Sequence, residues 1–311
     1  MTHLYVQRRY RLLAIAALFA VTISVQAKTC DQRCLRAVAD NYLAALTKRD
    51  AMKLPLAKNV KFTENGEVRK LTEGLWKGAG PLGVYREFFV DPATGNVLAI
   101  VTLDESGTPA ILAARLKIVD DKITEIETVV ARKDSHPLFT PELLKEADPL
   151  FAAAVDADTR VPRKRLIEIA NLYLDGLERN SSKEIPATPD CDRYENGTKT
   201  TFRTPTSGNC AKSADAINYI KAVKDRRFFI VDEATGVVAC TIMFDIPGGD
   251  PMPSQASGSE AQLQTTLRKP RMLLLTEIFK IEGGNIKRIQ AVMHNLPHGA
   301  KSGWETKSAV R

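Results

Sequence analysis

The amino-acid sequence predicts an α+β protein of two tandem cone-shaped domains. Each is a helix-lined, curved antiparallel sheet, and the two pack as a pseudo-dimer. Segments recur in the same order in both halves of the chain. A-D-N-Y-L at 39–43 returns as A-N-L-Y-L at 170–174, and E-N-G at 64–66 returns at 195–197. Each half also has the pattern of one amphipathic helix followed by strands and turns. A repeat this long is typical of a whole domain and not of a solenoid unit.

The first 27 residues have the features of a secretory signal peptide. Three arginines precede an apolar run over 12–25, and Val25-Gln26-Ala27 fits a cleavage site for small residues. The run is short for a membrane span, although an uncleaved anchor is the alternative. We therefore expect a periplasmic or extracellular protein with no stable membrane anchor after cleavage.

The first domain is expected to cover residues 28–140. Its helix is predicted over 34–46, where apolar residues recur at helical spacing along one face. A short strand then enters the E-N-G turn, and turn residues separate the strands that follow. These strands form two predicted hairpins, 85–90 with 97–103 and 111–119 with 123–130.

The second domain is expected to cover residues 163–311, after a helical linker at 141–162. Its helix is predicted over 166–177, and its E-N-G segment lies within 191–200. Two hairpins follow, 227–231 with 237–244 and 272–281 with 286–292. The order of elements therefore matches that of the first domain.

All five cysteines follow the predicted signal peptide, which indicates an oxidising compartment. Cys191 and Cys210 bracket an insertion rich in Pro, Thr, Ser and Gly, and we expect them to pair. Cys30 and Cys34 lie four apart at a helix start and are the other candidate pair, although that geometry is demanding. Cys240 lies in a predicted strand and is expected to be a buried free thiol. No cysteine–histidine spacing fits a zinc site, so no metal is expected.

Charge and motifs argue against several classes of function. The net charge of +7 is mild and evenly distributed, without a basic stripe interleaved with aromatic residues, so nucleic-acid binding is not expected. The sequence has no nucleophile elbow, zinc-protease motif, phosphate-binding glycine loop or dinucleotide fingerprint. We therefore expect no cofactor.

The candidate site lies where the two halves differ most. Aligning Ile126 with Ile289 places Ala131 opposite His294, so the first half lacks this histidine. A histidine at a strand end suits proton transfer near neutral pH, and His294 is predicted to point into the second domain's cavity. His298 and Trp304 follow as candidate ligand-binding residues. The alternative is a surface turn with a satisfied histidine, and packing is the alternative for the tryptophan.

A second candidate cluster precedes the E-N-G segment of the second half. Arg193 suits a carboxylate or enolate oxygen, and Tyr194 can donate a hydrogen bond to an oxyanion. Asp192 or Glu195 is a candidate general base if burial raises its pKa. Because both halves contain E-N-G, the tripeptide is more simply a structural turn. His136 is predicted to be a linker residue, and closing the pocket of the other half is its alternative role.

The order of helix and hairpins resembles the nuclear transport factor two-like superfamily, whose small-molecule branch is called SnoaL-like. The resemblance covers about residues 34–134 and 165–300. The second half also resembles an uncharacterised family of secreted fungal and bacterial proteins through two segments. One is Cys191 to Gly197, and the other is Leu296 to Trp304, which has His298 where that family commonly has tyrosine.

With the predicted signal peptide and the residues found only in the second half, the resemblance leads us to expect an exported protein that holds a small, partly apolar organic molecule in its second domain. Such pockets often carry out cofactor-free acid–base chemistry, as isomerases, lyases or cyclases. The alternatives are a ligand-binding protein without chemistry, and a structural or interaction module that uses an exposed sheet. The chain itself is expected to be a monomer with an internal pseudo-dimer.

Overall fold

Each half of the chain begins with a seventeen-residue helix whose apolar side faces a sheet. The computed structural model describes residues 30–203, 208–249 and 269–305, so the predicted signal peptide of residues 1–27 lies outside it. The helices are α1 (Gln32–Lys48), α2 (Leu75–Gly78), α3 (Pro149–Ala152) and α4 (Arg163–Arg179). None of the helices in these ranges is both long and apolar enough to span a membrane.

Twelve strands form two six-stranded sheets in the described ranges. The first sheet contains β1 (Leu56–Glu64), β2 (Glu67–Val68), β3 (Ala79–Asp91), β4 (Asn96–Glu105), β5 (Thr108–Val119) and β6 (Lys122–Ala131). The second contains β7 (Ala187–Glu195), β8 (Thr198–Lys199), β9 (Ala222–Asp232), β10 (Val237–Ile246), β11 (Arg271–Glu282) and β12 (Asn285–Pro297).

The two sheets have the same strand order, which confirms the α+β fold with two similar domains. The first runs β2-β1-β6-β5-β4-β3 and the second runs β8-β7-β12-β11-β10-β9. Neighbours are antiparallel except for β1 with β6 and β7 with β12, which are parallel. The sheets are therefore mixed and not wholly antiparallel as predicted, because the strand after each helix joins the last strand of its own sheet. Register shifts interrupt several ladders, and bulges of this kind increase sheet twist.

Side-chain alternation divides each sheet between two apolar layers. On β11, Leu273, Leu275 and Phe279 pack against α4 inside the second domain. Leu274 and Ile278 point the other way and join a layer shared with residues of the first sheet. The convex faces of the two sheets therefore pack against each other, while each concave face holds its own helix.

The two E-N-G turns tie the domains together. Asn65 and Asn196 both adopt a positive φ, and the backbone N–H of each donates to the last strand of its own sheet. A Cβ on Gly197 would lie 2.4 Å from the carbonyl oxygen of Thr140, in the segment leaving the first domain. A Cβ on Gly66 would lie 2.7 Å from the carbonyl oxygen of Lys301, in the segment leaving the second domain. Each domain's exit segment therefore packs on the turn of the other domain, and we call this arrangement the reciprocal clasp.

The segment between the domains is less helical than predicted. Between residues 141 and 162 the chain forms a short 3-10 turn at Pro141–Leu143 and the four-residue helix α3. The rest is irregular, and Arg288 of β12 forms an ion pair with Asp148, just before α3. The segment is held by contacts with both domains instead of by helical hydrogen bonds.

Candidate functional site

Arg193 lies on β7 in the interior of the second domain, where the first domain has an apolar residue. Its ladder partner Ile289 corresponds to Ile126, which pairs with Phe62, so Arg193 takes the place of Phe62. Phe62 belongs to the first domain's apolar core. A buried guanidinium needs partners for its N–H groups, and the second domain supplies them.

Four side chains fix the guanidinium of Arg193. Its Nη1 donates to the Tyr173 hydroxyl at 3.0 Å and to Ser213 Oγ at 3.0 Å. Its Nε donates to Thr200 Oγ1 at 3.0 Å and lies 3.1 Å from a Glu195 carboxylate oxygen. Nη2 makes no hydrogen bond to any residue in the described ranges. This nitrogen is therefore the one that remains available to a ligand.

The predicted disulfide contributes to this arrangement. Cys191 is bonded to Cys210, as predicted, and Ser213 Oγ donates to the Cys210 carbonyl oxygen at 2.9 Å. The disulfide therefore positions Ser213 beside Arg193, because Cys210 lies just before the short 3-10 helix Lys212–Ala216, which contains Ser213. The second predicted pair, Cys30 with Cys34, is also bonded, and Cys240 is a buried free thiol.

Arg193 and Glu195 border a cavity between α4, the concave face of the second sheet and the first domain's exit segment. The cavity has a volume of about 50 Å³. Its polar lining includes His136, Arg193, Glu195, Tyr219, Arg271 and Glu277. Apolar side chains such as Phe244 and Leu275 complete the wall.

Glu277 is the residue that the sequence analysis missed. It is 2% exposed, and its Oε2 has no hydrogen-bond partner among the described residues. Burial raises its pKa to about 8, against the opposing effect of Arg193, while the Glu195 charge raises it further. Near neutral pH it is therefore a protonated carboxyl that faces a cavity.

A comparison of the two strands would have revealed Glu277. It lies opposite Ala291, and Ala114 lies opposite Thr128 at the corresponding point of the first sheet. Ala114 is buried in the apolar core of its domain. An acid in place of that alanine, inside an otherwise apolar strand, is a signal for a buried polar site.

His136 reaches the second domain's cavity from the first domain's exit segment. Its Nδ1 accepts a hydrogen bond from the Leu138 backbone N–H at 3.1 Å, so the neutral ring carries its proton on Nε2. Burial, assisted by the charge of Arg271, lowers its pKa to about 4. The structure therefore places His136 where its alternative role, closing the pocket of the other half, requires it to be.

His294 does not face this cavity, which corrects the predicted placement. The prediction assumed that Val292 faces the helix and that His294 shares its side. Instead Val292 lies in the layer between the sheets, and Met293 points into the domain interior. His294 is therefore half-buried against the first domain, where burial and the Arg132 charge lower its pKa to about 4.

Strand alternation also separates the other candidates near Arg193. Tyr194 points away from the cavity, and the guanidinium of Arg288 lies 5.2 Å from its ring centre. It lines an interdomain cleft with Tyr85 and Gln290. Asp192 is ion-paired with Lys199 at 2.8 Å and lies outside the cavity lining. Arg193 and Glu195 are thus the two candidates that the structure brings together.

His298 and Trp304 lie away from the cavity of the second domain. His298 Nε2 is 3.1 Å from an Asp245 carboxylate oxygen, on an exposed turn. Trp304 packs on the first domain as part of the reciprocal clasp. Its Nε1 donates to Thr63 Oγ1 at 2.7 Å, and the Lys61 ammonium lies 4.1 Å from its ring centre.

The cavity contains side chains that could transfer a proton to or from a bound molecule. Glu277 provides a carboxyl that can donate or accept a proton near neutral pH, and His136 provides a neutral N–H donor. Arg193 is held by its partners, so binding a ligand at Nη2 needs no rearrangement of the guanidinium. Within the described ranges, no three His, Cys, Asp or Glu residues are grouped so as to hold a metal ion.

Solved structures with a similar arrangement match about one domain of the chain. A putative polyketide cyclase from Xanthomonas campestris pv. campestris is 14% identical, with 42% of this chain and 90% of that chain covered and a TM-score of 0.29. AclR, a putative hydroxylase from Streptomyces galilaeus, is 12% identical, with 43% and 81% covered and a TM-score of 0.31. An NTF2-like protein of unknown function from Cytophaga hutchinsonii ATCC 33406 is 16% identical, with 31% and 89% covered and a TM-score of 0.27.

These structural similarities are too low to indicate an activity. No curated protein matches the chain. A family described as a domain of unknown function matches residues 28–130 and 159–293. These two ranges hold most of the elements of both domains and together exceed half of the chain. The chain therefore belongs to this family, DUF8021.

Proposed function

We infer that the second domain binds a small organic molecule in the cavity beside Arg193 and exchanges a proton with it without a cofactor. The reaction class is that of an isomerase, lyase or cyclase, and Glu277 takes the proton-transfer role first assigned to His294. The observation that carries this proposal is the buried carboxyl oxygen of Glu277, which has no hydrogen-bond partner among the described residues and lies beside a fixed guanidinium. A buried polar atom without a partner in a polar cavity is costly unless a water or ligand binds there.

In this scheme the carboxylate form of Glu277 removes a proton from the carbon next to a carbonyl group. The proton passes to a Glu277 oxygen, and the C–H electron pair moves into the enolate. The Nε2–H of His136 donates a hydrogen bond to the enolate oxygen, and the positive charge of the Arg193 guanidinium stabilises the enolate. Return of the proton to another atom of the substrate completes an isomerisation.

Binding without chemistry is the rival function, and the small cavity favours it. About 50 Å³ leaves little space for a substrate to change shape. An interaction module that uses an exposed sheet is less well supported, because the convex faces of both sheets are buried against each other. Export is part of the proposal, because two disulfides are typical of oxidising compartments.

Proton exchange on acetone in D₂O tests the proposed chemistry without knowledge of the natural substrate. We expect the protein to accelerate loss of the acetone methyl proton signal in NMR spectra. The rate should rise with pH to a plateau, with its midpoint near the Glu277 pKa of about 8, because the carboxylate is the base. Glu277→Gln should lower the exchange by roughly 10²–10⁴-fold.

The matched control is Glu87→Gln. Glu87 is also buried, and its pKa is raised to about 7, but it lies between the domains and not in this cavity. Its substitution should leave the exchange rate unchanged. Exchange that is equally fast in the Glu277→Gln variant would exclude Glu277 as the base, and an inert wild-type protein would favour the binding function.

A further inference from the structure

The charges around the second cavity favour an anion, provided that this cavity is the ligand site proposed above. Arg193 and Arg271 bring two positive charges, and Glu195 brings one negative charge. Glu277 adds none while it is protonated, and His136 is neutral because its pKa is lowered to about 4. Near pH 7 Glu277 and His136 therefore add no charge to the lining, and Arg193 Nη2, which has no hydrogen-bond partner among the described residues, is a charged donor for an anionic group on a ligand.

Hydrogen-bond donors reach the cavity from opposite elements. Arg193 Nη2, on β7, is a guanidinium donor that suits a carboxylate oxygen. The protonated carboxyl of Glu277 on β11 and the Nε2–H of His136 on the exit segment are neutral donors. Neutral donors suit a carbonyl or hydroxyl oxygen. A ligand that matches both kinds of donor carries a carboxylate and a second oxygen close to it.

The size of the cavity limits the ligand further. A space of about 50 Å³ favours a compact molecule of a few non-hydrogen atoms. Aromatic acids and fatty acids are too large for this space. Acids of two or three carbon atoms fit it.

We propose that the second cavity takes a small carboxylate monoanion, of two or three carbon atoms, with an oxo or hydroxyl group next to the carboxylate. The carboxylate binds on the arginine side, where Arg193 Nη2 donates to it. The second oxygen accepts from Glu277 and from His136. The inference rests on the proposed function for the site, and it adds the chemical class of the ligand.

Anion binding at this site is expected to weaken as pH rises, because Glu277 then becomes a second negative charge beside the ligand. The titratable groups that face Glu277 are Tyr173 on α4, Arg193 and Glu195 on β7, and Cys240 on β10. Burial raises the pKa of Tyr173 and of Cys240, so both stay neutral up to pH 9.5.

The remaining groups of the lining also keep their charge over this range. Burial raises the pKa of Tyr219 to about 12, and His136 is already neutral. Arg193 and Arg271 stay charged, as arginine does in proteins. Among the residues described here, Glu277 is therefore the group that governs anion affinity between pH 7 and pH 9.5.

Titration of the full chain with sodium pyruvate and with acetone, followed by NMR, tests the proposal. The two probes share a methyl ketone, and pyruvate adds the carboxylate. We expect pyruvate to bind at least 100-fold more tightly than acetone at pH 6.5. Its affinity should fall by up to tenfold per pH unit above pH 8. In Glu277→Gln the pyruvate affinity should no longer depend on pH, because glutamine cannot ionise.

Glu87→Gln is again the control, and its pyruvate affinity should fall with pH as in the wild type. Three results would overturn the proposal: equal affinity for the two probes, an affinity for pyruvate that is constant up to pH 9.5, or no binding of pyruvate. Proton exchange of acetone without a preference for pyruvate would overturn this inference and leave the proposed function standing. Tight, pH-dependent binding of pyruvate without proton exchange on either probe would support this inference and overturn the proposed proton-transfer function.

Discussion

At the scale of single residues, burying the Glu277 carboxyl couples protonation to folding. Its pKa is raised from 4.5 to about 8, so between these pH values the folded chain holds a proton that the unfolded chain has released. The stability from this group is fully present below pH 4.5 and is lost as pH rises through 8. The opposite holds for His136, whose pKa is lowered to about 4, so its neutral burial favours folding more as pH rises toward 6.5.

Glu277→Gln should therefore change the pH profile of stability. We expect the variant to gain stability relative to the wild type by about 1.4 kcal/mol per pH unit between pH 5 and pH 8, the value for one proton. Urea unfolding at three pH values measures this difference. Glu282→Gln is a suitable control, because the neighbouring Lys287 lowers the pKa of Glu282 and its effect should be flat over this range. A constant difference between Glu277→Gln and the wild type would contradict the prediction.

The sequence predicted Arg193 and Glu195 as site residues, and both line the cavity, but it did not predict Glu277, which faces them. Arg193 was detectable because the first half has phenylalanine at the same position. Glu277 was not, because a lone acid in an apolar strand does not show which face it occupies or what it meets. His294 failed for the same reason: alternation relates it to Val292, but only the packed sheets show which side of β12 is inside.

At the scale of elements, the helices and hairpins follow from periodicity and turn residues, while the sheet order does not. The parallel pairing of β1 with β6 and of β7 with β12 joins strands far apart in sequence. No local pattern specifies such a pairing. The exit segments were also unpredictable, because their partners are turns in the other domain. The E-N-G turns themselves were correctly interpreted as structural, and their glycines show why.

Gly197→Ala should destabilise the protein more than Gly107→Ala does. Both glycines have a φ of +86°, so alanine is strained by about 1–2 kcal/mol at either position. Of the two, Gly197 also faces a close neighbour, the Thr140 carbonyl oxygen 2.4 Å from a Cβ, whereas a Cβ on Gly107 would have no atom of the described residues within 4 Å. The clash should add about 1–3 kcal/mol, measurable by urea unfolding. Equal losses of stability in the two variants would show that the reciprocal clasp accommodates the added methyl group without any further loss of stability.

At the scale of the whole molecule, the shared apolar layer and the reciprocal clasp link the two domains. Arg227 of the second sheet adds a two-pronged ion pair with Glu127 of the first, with both N–O distances at 2.7 Å. Glu127 is almost fully buried, so losing Arg227 would leave the Glu127 carboxylate between the sheets with Arg115 of its own sheet as its ion-pair partner, at 3.1 Å. Neither domain therefore keeps its full set of buried contacts when the other unfolds.

We expect the two domains to unfold in one cooperative transition. Differential scanning calorimetry should give a ratio of calorimetric to van't Hoff enthalpy of about 1. Arg227→Met should lower the midpoint of that transition without splitting it, because the apolar layer remains. Two resolved transitions in the wild type would show that the domains fold independently in spite of the clasp.

The reciprocal clasp also has a consequence for how such a protein can change. In a dimer of identical chains, one gene alters both sites at once, so every buried charge placed in one site appears in the other. Here Phe62 and Ala114 keep one interior apolar, while Arg193 and Glu277 occupy the matching positions of the other. Because His136 belongs to the first domain and lines the cavity of the second, mutations in the first domain can still alter the polar site. Variant libraries confined to residues 163–311 would therefore miss part of the chemistry that they aim to change.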